Sequence, residues 1–333
     1  MRWASNSSRA AYSGRTRTHV DGHDMEPTWF DKRPVGEVRP GDHAWLAYGT
    51  PEERDRVIGA FVADALRTEE KVVYVTDAPP ERLPGLTGPR TRLDLCTYTA
   101  SGQLRVIPRS RACLDGGGRF DPQRMLETLN TEVERAFDEG FRAVRLTTDH
   151  SWLMREPGRP DLHRVLGCEH QVGDAVSPST MAMAICQVDR RLCPPDQLAA
   201  LRDTHEVLVE VNPEFDDGIL RITRTFEPHG LRIEGELDAA RHSVFAQQLS
   251  LVAHGRRRVH LDFSRLGFID LGTLNLLAEH ATGLDERDAL VLDNLPPDVE
   301  NVIEMVGWHR LPGLARGRSG AADGPFPGPE GVA

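Results

Sequence analysis

The sequence predicts an α/β protein of two units: a mainly parallel sheet with flanking helices, followed by a smaller α/β domain. Three observations carry this. At 333 residues the chain is long enough for two domains of about 100–200 residues each. Between Val35 and Val211 short apolar runs alternate with amphipathic ones, the pattern of strands alternating with covering helices. From Val259 to Leu277 the chain reads as a strand, a short turn, an acidic cap and an apolar helix. The expected boundaries are a disordered tail at 1–34, the first unit at 35–211, a linker at 212–218, the second unit at 219–314, and a Gly- and Pro-rich tail at 315–333.

In the first unit, Ala44–Tyr48 is a short apolar strand. Thr50 then caps a helix, with Pro51 at its first position and Glu53 placed for a capping box; Val57, Phe61, Ala65 and Leu66 form its buried face. Lys71–Asp77 is the second strand and Leu104–Ile107 the third. Asp121 and Pro122 open a helix that carries Met125, Leu126, Leu129, Val133 and Phe137 inward and ends near Gly140. Phe141–Thr148 is a strand, and Thr180–Val188 is one of the fully buried kind. A helix from Pro194 through Leu201 and a strand at Val207–Val211 complete the unit.

In the second unit, Val259, Leu261 and Phe263 alternate with His260 and Asp262, the period of a strand. Asp270 precedes Leu271, Leu274, Leu277 and Ala278, which share one helical face. An Asp there accepts from the first free amides of the helix.

Composition narrows the function. The net charge of -11 argues against general nucleic-acid binding, which needs a clustered basic face; Arg256-Arg257-Arg258 reads as a solvated turn. No apolar stretch approaches the ~18 residues that cross a bilayer. The first residues lack the apolar core of a secretory signal, and Met25 is an alternative initiator. The five cysteines (Cys96, Cys113, Cys168, Cys186 and Cys193) are odd in number and form no Cys-x-x-Cys pair. That disfavours a disulfide framework or a four-thiolate zinc site and fits a reducing cytoplasm. Cys186, in an apolar run, reads as a small buried hydrophobe.

The run Asp262-Phe263-Ser264, then Phe268-Ile269-Asp270, resembles the STAS domain, the fold of bacterial anti-sigma factor antagonists. The resemblance extends from about Ile219 to Leu314: Leu231–Asp238, ending in Gly-Glu-Leu-Asp, is similar to the family's second strand, and Val299–Trp308 to its last helix. It implies a small α/β domain whose helix start, at Asp270, Leu271, Gly272 and Thr273, binds an anti-sigma factor or a kinase-like regulator. Phosphorylated members carry Ser after the Asp. Here Leu271 has no hydroxyl, which excludes direct phospho-control at the usual position; Thr273 is either a displaced acceptor or a structural residue.

The first unit resembles the MEDS domain, a sensory module of methanogen and methylotroph regulators. The matching pieces run in order: Gly41-Asp42-His43, Tyr48 with Pro51-Glu52-Glu53-Arg54, Lys71–Asp77, Val144–Thr147 with Ser151-Trp152, and Ala184–Arg191. The same segment is similar to RecA-type ATPases, which implies a degenerate RecA-like scaffold. The loop Tyr48–Arg56 lacks the second glycine, the Lys and the adjacent hydroxyl that would cradle phosphates and hold magnesium.

Candidate sensory-pocket residues are Asp42, His43, Tyr48, Asp149, His150, Ser151 and Trp152. Ligands bind at the carboxyl ends of parallel strands, which favours Asp149-His150 over Asp42-His43, and an aromatic beside polar groups suits a small molecule. His43, His150 and Asp149 are of metal-ligating type but lack motif spacing, so no metal or other cofactor is expected. Cys168 beside His170 is a thiol near a base, but Gly167 before it reads as a turn, and no Gly-x-Ser-x-Gly elbow exists. The resulting expectation is a non-enzymatic cytoplasmic signalling protein, binding neither nucleic acid nor membrane, whose first domain senses a ligand and whose second binds a regulator of sigma factors. The alternatives are an ATPase or hydrolase on the first unit, or a constitutive scaffold.

Overall fold

A computed structural model describes residues 31–86, 93–154, 161–285 and 287–318. The first unit contains strands β1 (Asp31–Pro34), β2 (His43–Tyr48), β3 (Lys71–Val75), β4 (Leu104–Ile107), β5 (Val144–Asp149), β6 (Ala182–Asp189) and β7 (Val207–Glu210). Its helices are α1 (Pro51–Arg67), α2 (Leu95–Ala100), α3 (Arg109–Ala112), α4 (Pro122–Asp138), α5 (Leu162–Ala175) and α6 (Pro195–Arg202). The strands form one sheet in the order β1-β7-β2-β6-β5-β3-β4, and every pairing is parallel.

Alternation along the strands builds two cores. Ala44, Leu46, Val72, Tyr74, Met183 and Ile185 pack against α1. Trp45, Val73, Leu146, Ala184 and Cys186 pack against α4, α5 and α6. Both faces are therefore covered, as a parallel sheet requires.

The second unit holds β8 (Phe215–Asp216), β9 (Leu220–Phe226), β10 (His229–Leu237), β11 (Arg258–Ile269), β12 (Ala289–Asp293) and β13 (Leu314–Arg316), with helices α7 (His242–Ala253), α8 (Leu271–Thr282) and α9 (Pro297–Val306). Its sheet order is β13-β12-β11-β10-β9-β8. β10, β11, β12 and β13 run parallel, and β8, β9 and β10 antiparallel. Leu231, Ile233, Leu261 and Phe263 meet Phe245, Leu249, Leu274, Leu277 and Ile303 in a single core.

Several expectations need correction. Asp31–Pro34 is not tail but an edge strand, held by register with Val207–Glu210 and by Arg33 Nη1 on both Asp42 oxygens at 2.9 and 2.8 Å. Ala315 and Arg316 likewise extend the second sheet. The rest of both tails, residues 1–30 and 319–333, lies outside the described residues. The linker contains β8, which pairs with Ile222 and Arg221. No turn separates strand from cap in the second unit: β11 runs on to Ile269, following β10 across two register shifts. Asp262 Oδ1 accepts from the Ser264 amide at 3.0 Å beside one of these irregularities. Gly167 is helical, inside α5, because Val165, Cys168 and Val172 bury one face and outweigh its low propensity. Phe137 does not reach the core and is largely exposed.

The two units meet at the first turn of α1. Glu52 pairs with Arg224 at 3.5 Å and Arg256 at 2.9 Å. Arg56 pairs with Glu214 at 2.5 Å. Arg190, just after β6, reaches Glu227 at 2.6 Å.

Candidate functional sites

Three places concentrate chemistry. The first is a buried polar cluster between the sheet and α5. His43 starts β2, Cys186 lies mid-β6, Glu169 projects from α5, and His205 precedes β7; all four are buried. Their ligand-type atoms lie within 4.8 Å of one another. His43 Nε2 is 3.3 Å from Cys186 Sγ and 3.4 Å from Glu169 Oε2. His205 Nε2 approaches the same Oε2 at 3.3 Å, and His150 Nδ1 approaches Oε1 at 3.1 Å. These carboxylate contacts lie off the hydrogen-bonding direction: among the described residues Glu169 Oε2, His205 Nε2 and His150 Nδ1 have no hydrogen-bond partner. Burial alone would raise the Glu169 carboxyl, and its imidazole surroundings, His150 foremost, hold it well below the usual range. Burial, with His43 beside it, lowers His205 to about 4. Gly173 lets α5 pass close over the His43 ring, because a Cβ there would stand 3.2 Å from Nδ1.

The second place is the carboxyl end of β3 and β5. A cavity of about 160 Å³ is lined by Thr76, Asp77, Arg109, Asp149, Ser151 and Trp152. The Arg109 guanidinium lies 4.9 Å from the centre of the Trp152 ring and pairs with Asp77 at 2.5 Å. Asp149 Oδ1 accepts from the Ser151 amide at 2.9 Å. Ser151 Oγ accepts from the Asp189 amide at 2.8 Å and shares a hydrogen bond with Tyr48 Oη at 3.2 Å. Burial, with Asp149 nearby, raises the Tyr48 phenol. The cavity is smaller than the ~300–1,000 Å³ of drug-sized pockets, so it suits a small fragment.

The third place is the start of α8. Asp270 Oδ1 accepts from the Thr273 amide at 2.7 Å and from the Thr273 hydroxyl at 2.8 Å. His242 Nε2 donates to the same carboxylate at 2.8 Å. Burial would raise Asp270, but the Thr273 amide and His242 lower it further than burial lifts it. Gly272 leaves the room that the His242 ring fills. Thr273 is fully buried and its hydroxyl is engaged by Asp270, which favours the structural reading over that of a displaced acceptor. Leu271 instead points outward, 61% exposed.

Residues 42–206 match the family described as MEDS, the methanogen/methylotroph, DcmR sensory domain, and residues 220–314 match the Mlab, STAS domain. The chain carries a MEDS domain followed by a STAS domain. This pairing points to a signalling or regulatory role, and the STAS domain to protein–protein interaction in general. No curated protein matches. Among solved structures, the flagellar accessory protein FlaH from Methanocaldococcus jannaschii is similar at 13% identity and a TM-score of 0.37, over 60% of this chain and 81% of that one. Among the described residues no helix is long and apolar enough to cross a membrane.

The expected sensory residues divide among different places. Asp149, Ser151 and Trp152 line the MEDS cavity, with Tyr48 behind Ser151. His43 and His150 turn to the opposite core and meet on Glu169. Asp42 belongs to neither; it anchors Arg33 and accepts from the Arg39 amide at 2.9 Å. Of the pair Cys168 and His170, the thiol is buried and the imidazole exposed, so they do not act together; Glu169 between them is the residue that matters. Sequence reasoning missed Glu169 and His205. Glu169 was findable, since Val165, Cys168, Glu169 and Val172 follow i, i+3, i+4, i+7 and put an acid on an apolar stripe.

Proposed function

We propose that this chain is a non-enzymatic signalling protein whose STAS domain binds an anti-sigma factor of the kinase-like class through the start of α8. The observation that carries this reading is Leu271, 61% exposed beside the Asp270 cap. Phe268 (49%) and Ile219 (50%) are exposed at the same end of the STAS sheet: Phe268 registers with Glu236, whose amide donates to the Ile219 carbonyl at 3.0 Å. Large apolar side chains exposed at this end of the domain are the kind of surface that protein interfaces use. A leucine at the position of a phosphorylatable serine keeps that surface permanently apolar, so control falls to the MEDS domain and its small-molecule cavity.

The alternative, an ATPase or hydrolase on the MEDS domain, finds no support in the loop Tyr48–Arg56. The Gly49 amide, where a phosphate-binding loop offers a donor, is bound to Glu53 Oε2 at 2.7 Å. Arg190 and Glu227 crowd the Gly49 Cα, and Glu52 and Glu53 would repel a polyphosphate.

Affinity capture from lysate of the source organism, with wild type beside Leu271→Glu, tests the reading. Recovery of an anti-sigma-type kinase by wild type and its loss in Leu271→Glu is the expected result; the same recovery by both would refute it.

A further inference from the structure

We propose that His43, Glu169, Cys186 and His205 form a closed, tetrahedral binding site for a divalent metal ion of the zinc class. The spacing argues for it first. Metal–nitrogen and metal–oxygen bonds of about 2.0–2.2 Å and a metal–sulfur bond of about 2.3 Å place tetrahedral ligands roughly 3.3–3.6 Å apart. The His43–Cys186, His43–Glu169 and His205–Glu169 separations are 3.3, 3.4 and 3.3 Å, and all four ligand atoms lie within 4.8 Å of one another, so the wider pairs close inward on binding.

The hydrogen-bond pattern argues for it independently. His205 Nδ1 donates to the Leu201 carbonyl at 2.9 Å, which leaves the lone pair of the neutral ring on Nε2. That lone pair faces Glu169 Oε2, itself an acceptor, and neither atom has a hydrogen-bond partner among the described residues. Two opposed acceptors in a buried site are costly. A cation at their common focus satisfies both, together with the thiolate and His43 Nε2. The surroundings match what metal sites use to orient ligands: a backbone carbonyl holds the far nitrogen of His205, and His150 approaches the far oxygen of Glu169 at 3.1 Å.

Two imidazoles, one thiolate and one carboxylate suit zinc better than the hard cations, which prefer all-oxygen shells. The site is closed. The adjoining void, lined by Thr148, His150, Glu169 and Cys186 among others, has a volume of about 10 Å³, the size of about one water. With four protein ligands and no room for an organic molecule, the ion would join β2, α5, β6 and the α6–β7 loop and fix the frame on which the separate MEDS cavity is built.

The test uses the full chain. Wild type, stripped with a chelator and desalted, is titrated with Zn2+ and with Co2+. The expected result is uptake of one ion per chain, with the visible d–d bands of tetrahedral Co2+ and a near-ultraviolet thiolate-to-cobalt band. Cys186→Ser should abolish the thiolate band and His205→Asn should abolish stoichiometric uptake, while Cys96→Ser, at an exposed thiol, leaves both intact. Circular dichroism checks that each variant is folded. A folded wild type that takes up neither ion overturns the proposal whatever the variants do. So does a thiolate band undiminished in Cys186→Ser.

Discussion

Asp270→Ala and Leu271→Glu change adjacent residues, yet the structure separates their effects. Asp270→Ala removes the helix cap, a loss of about 1 kcal/mol. It also strips the buried Thr273 hydroxyl of its best acceptor, leaving the Leu237 carbonyl at 3.4 Å; a weakened buried hydroxyl costs about another 1 kcal/mol. The His242 pair is part-exposed, 28% and 25% on the two side chains, so screening discounts it to a few tenths of a kcal/mol at most. The sum is about 2 kcal/mol on the STAS domain. Leu271 is exposed, and an acid in the first turn meets the favourable end of the helix dipole, so Leu271→Glu stays within about 0.5 kcal/mol of wild type. Hydrogen exchange of the full chain across a urea series, read on peptides covering residues 259–282, measures this domain apart from the first. Equal protection in the two variants, or a larger loss in Leu271→Glu, would refute the cap assignment. Leu271→Glu is accordingly the clean probe of partner binding, and Asp270→Ala mixes binding with stability.

Further expectations concern the same elements. The Asp270 carboxyl is depressed on folding, so its contribution is present above its unfolded value near about 3.9 and is lost as pH falls through the folded value. Acid unfolding followed by circular dichroism should show this component in wild type and not in Asp270→Asn. Thr273→Val should cost about 1 kcal/mol or more in urea unfolding, and phosphopeptide mapping of chain from its own source should find Thr273 unmodified. Glu52→Arg reverses the charge facing Arg224 and Arg256 and should speed limited proteolysis around residues 212–218; an unchanged cleavage rate would argue against the contact between the domains. Calorimetry should detect no MgATP binding to wild type or to Glu227→Ala.

The strand–helix alternation made the parallel sheet legible. α4 and β6 stood out because Asp121-Pro122 opens the one with a strong apolar period and the other is a continuous apolar run; β4, only four residues long, was fainter. The capping box on α1 was half right: Thr50 accepts from the Glu53 amide at 3.2 Å, but the Glu53 carboxylate passes Thr50 to reach Gly49, since the β2–α1 turn aims that amide inward. Edge strands β1 and β13 were unreadable because pairing to a remote strand, not local pattern, makes them. The buried cluster was illegible for a related reason. Its residues span 43 to 205 and meet only because β2 and β6 are neighbours under α5. In Cys186 the apolar run gave the correct burial but concealed the polar company that the sheet supplies. His205, in a loop, carried no periodic signal.

The central claim is most directly tested by the dissociation constant between the full chain and a purified anti-sigma-type kinase from the same source, for wild type and for Leu271→Glu. Burying a leucine contributes about 1.5–3 kcal/mol, and replacing it by a charge forfeits at least that. The account therefore predicts binding weakened about tenfold or more, in a variant as stable as wild type. Equal affinities would contradict it.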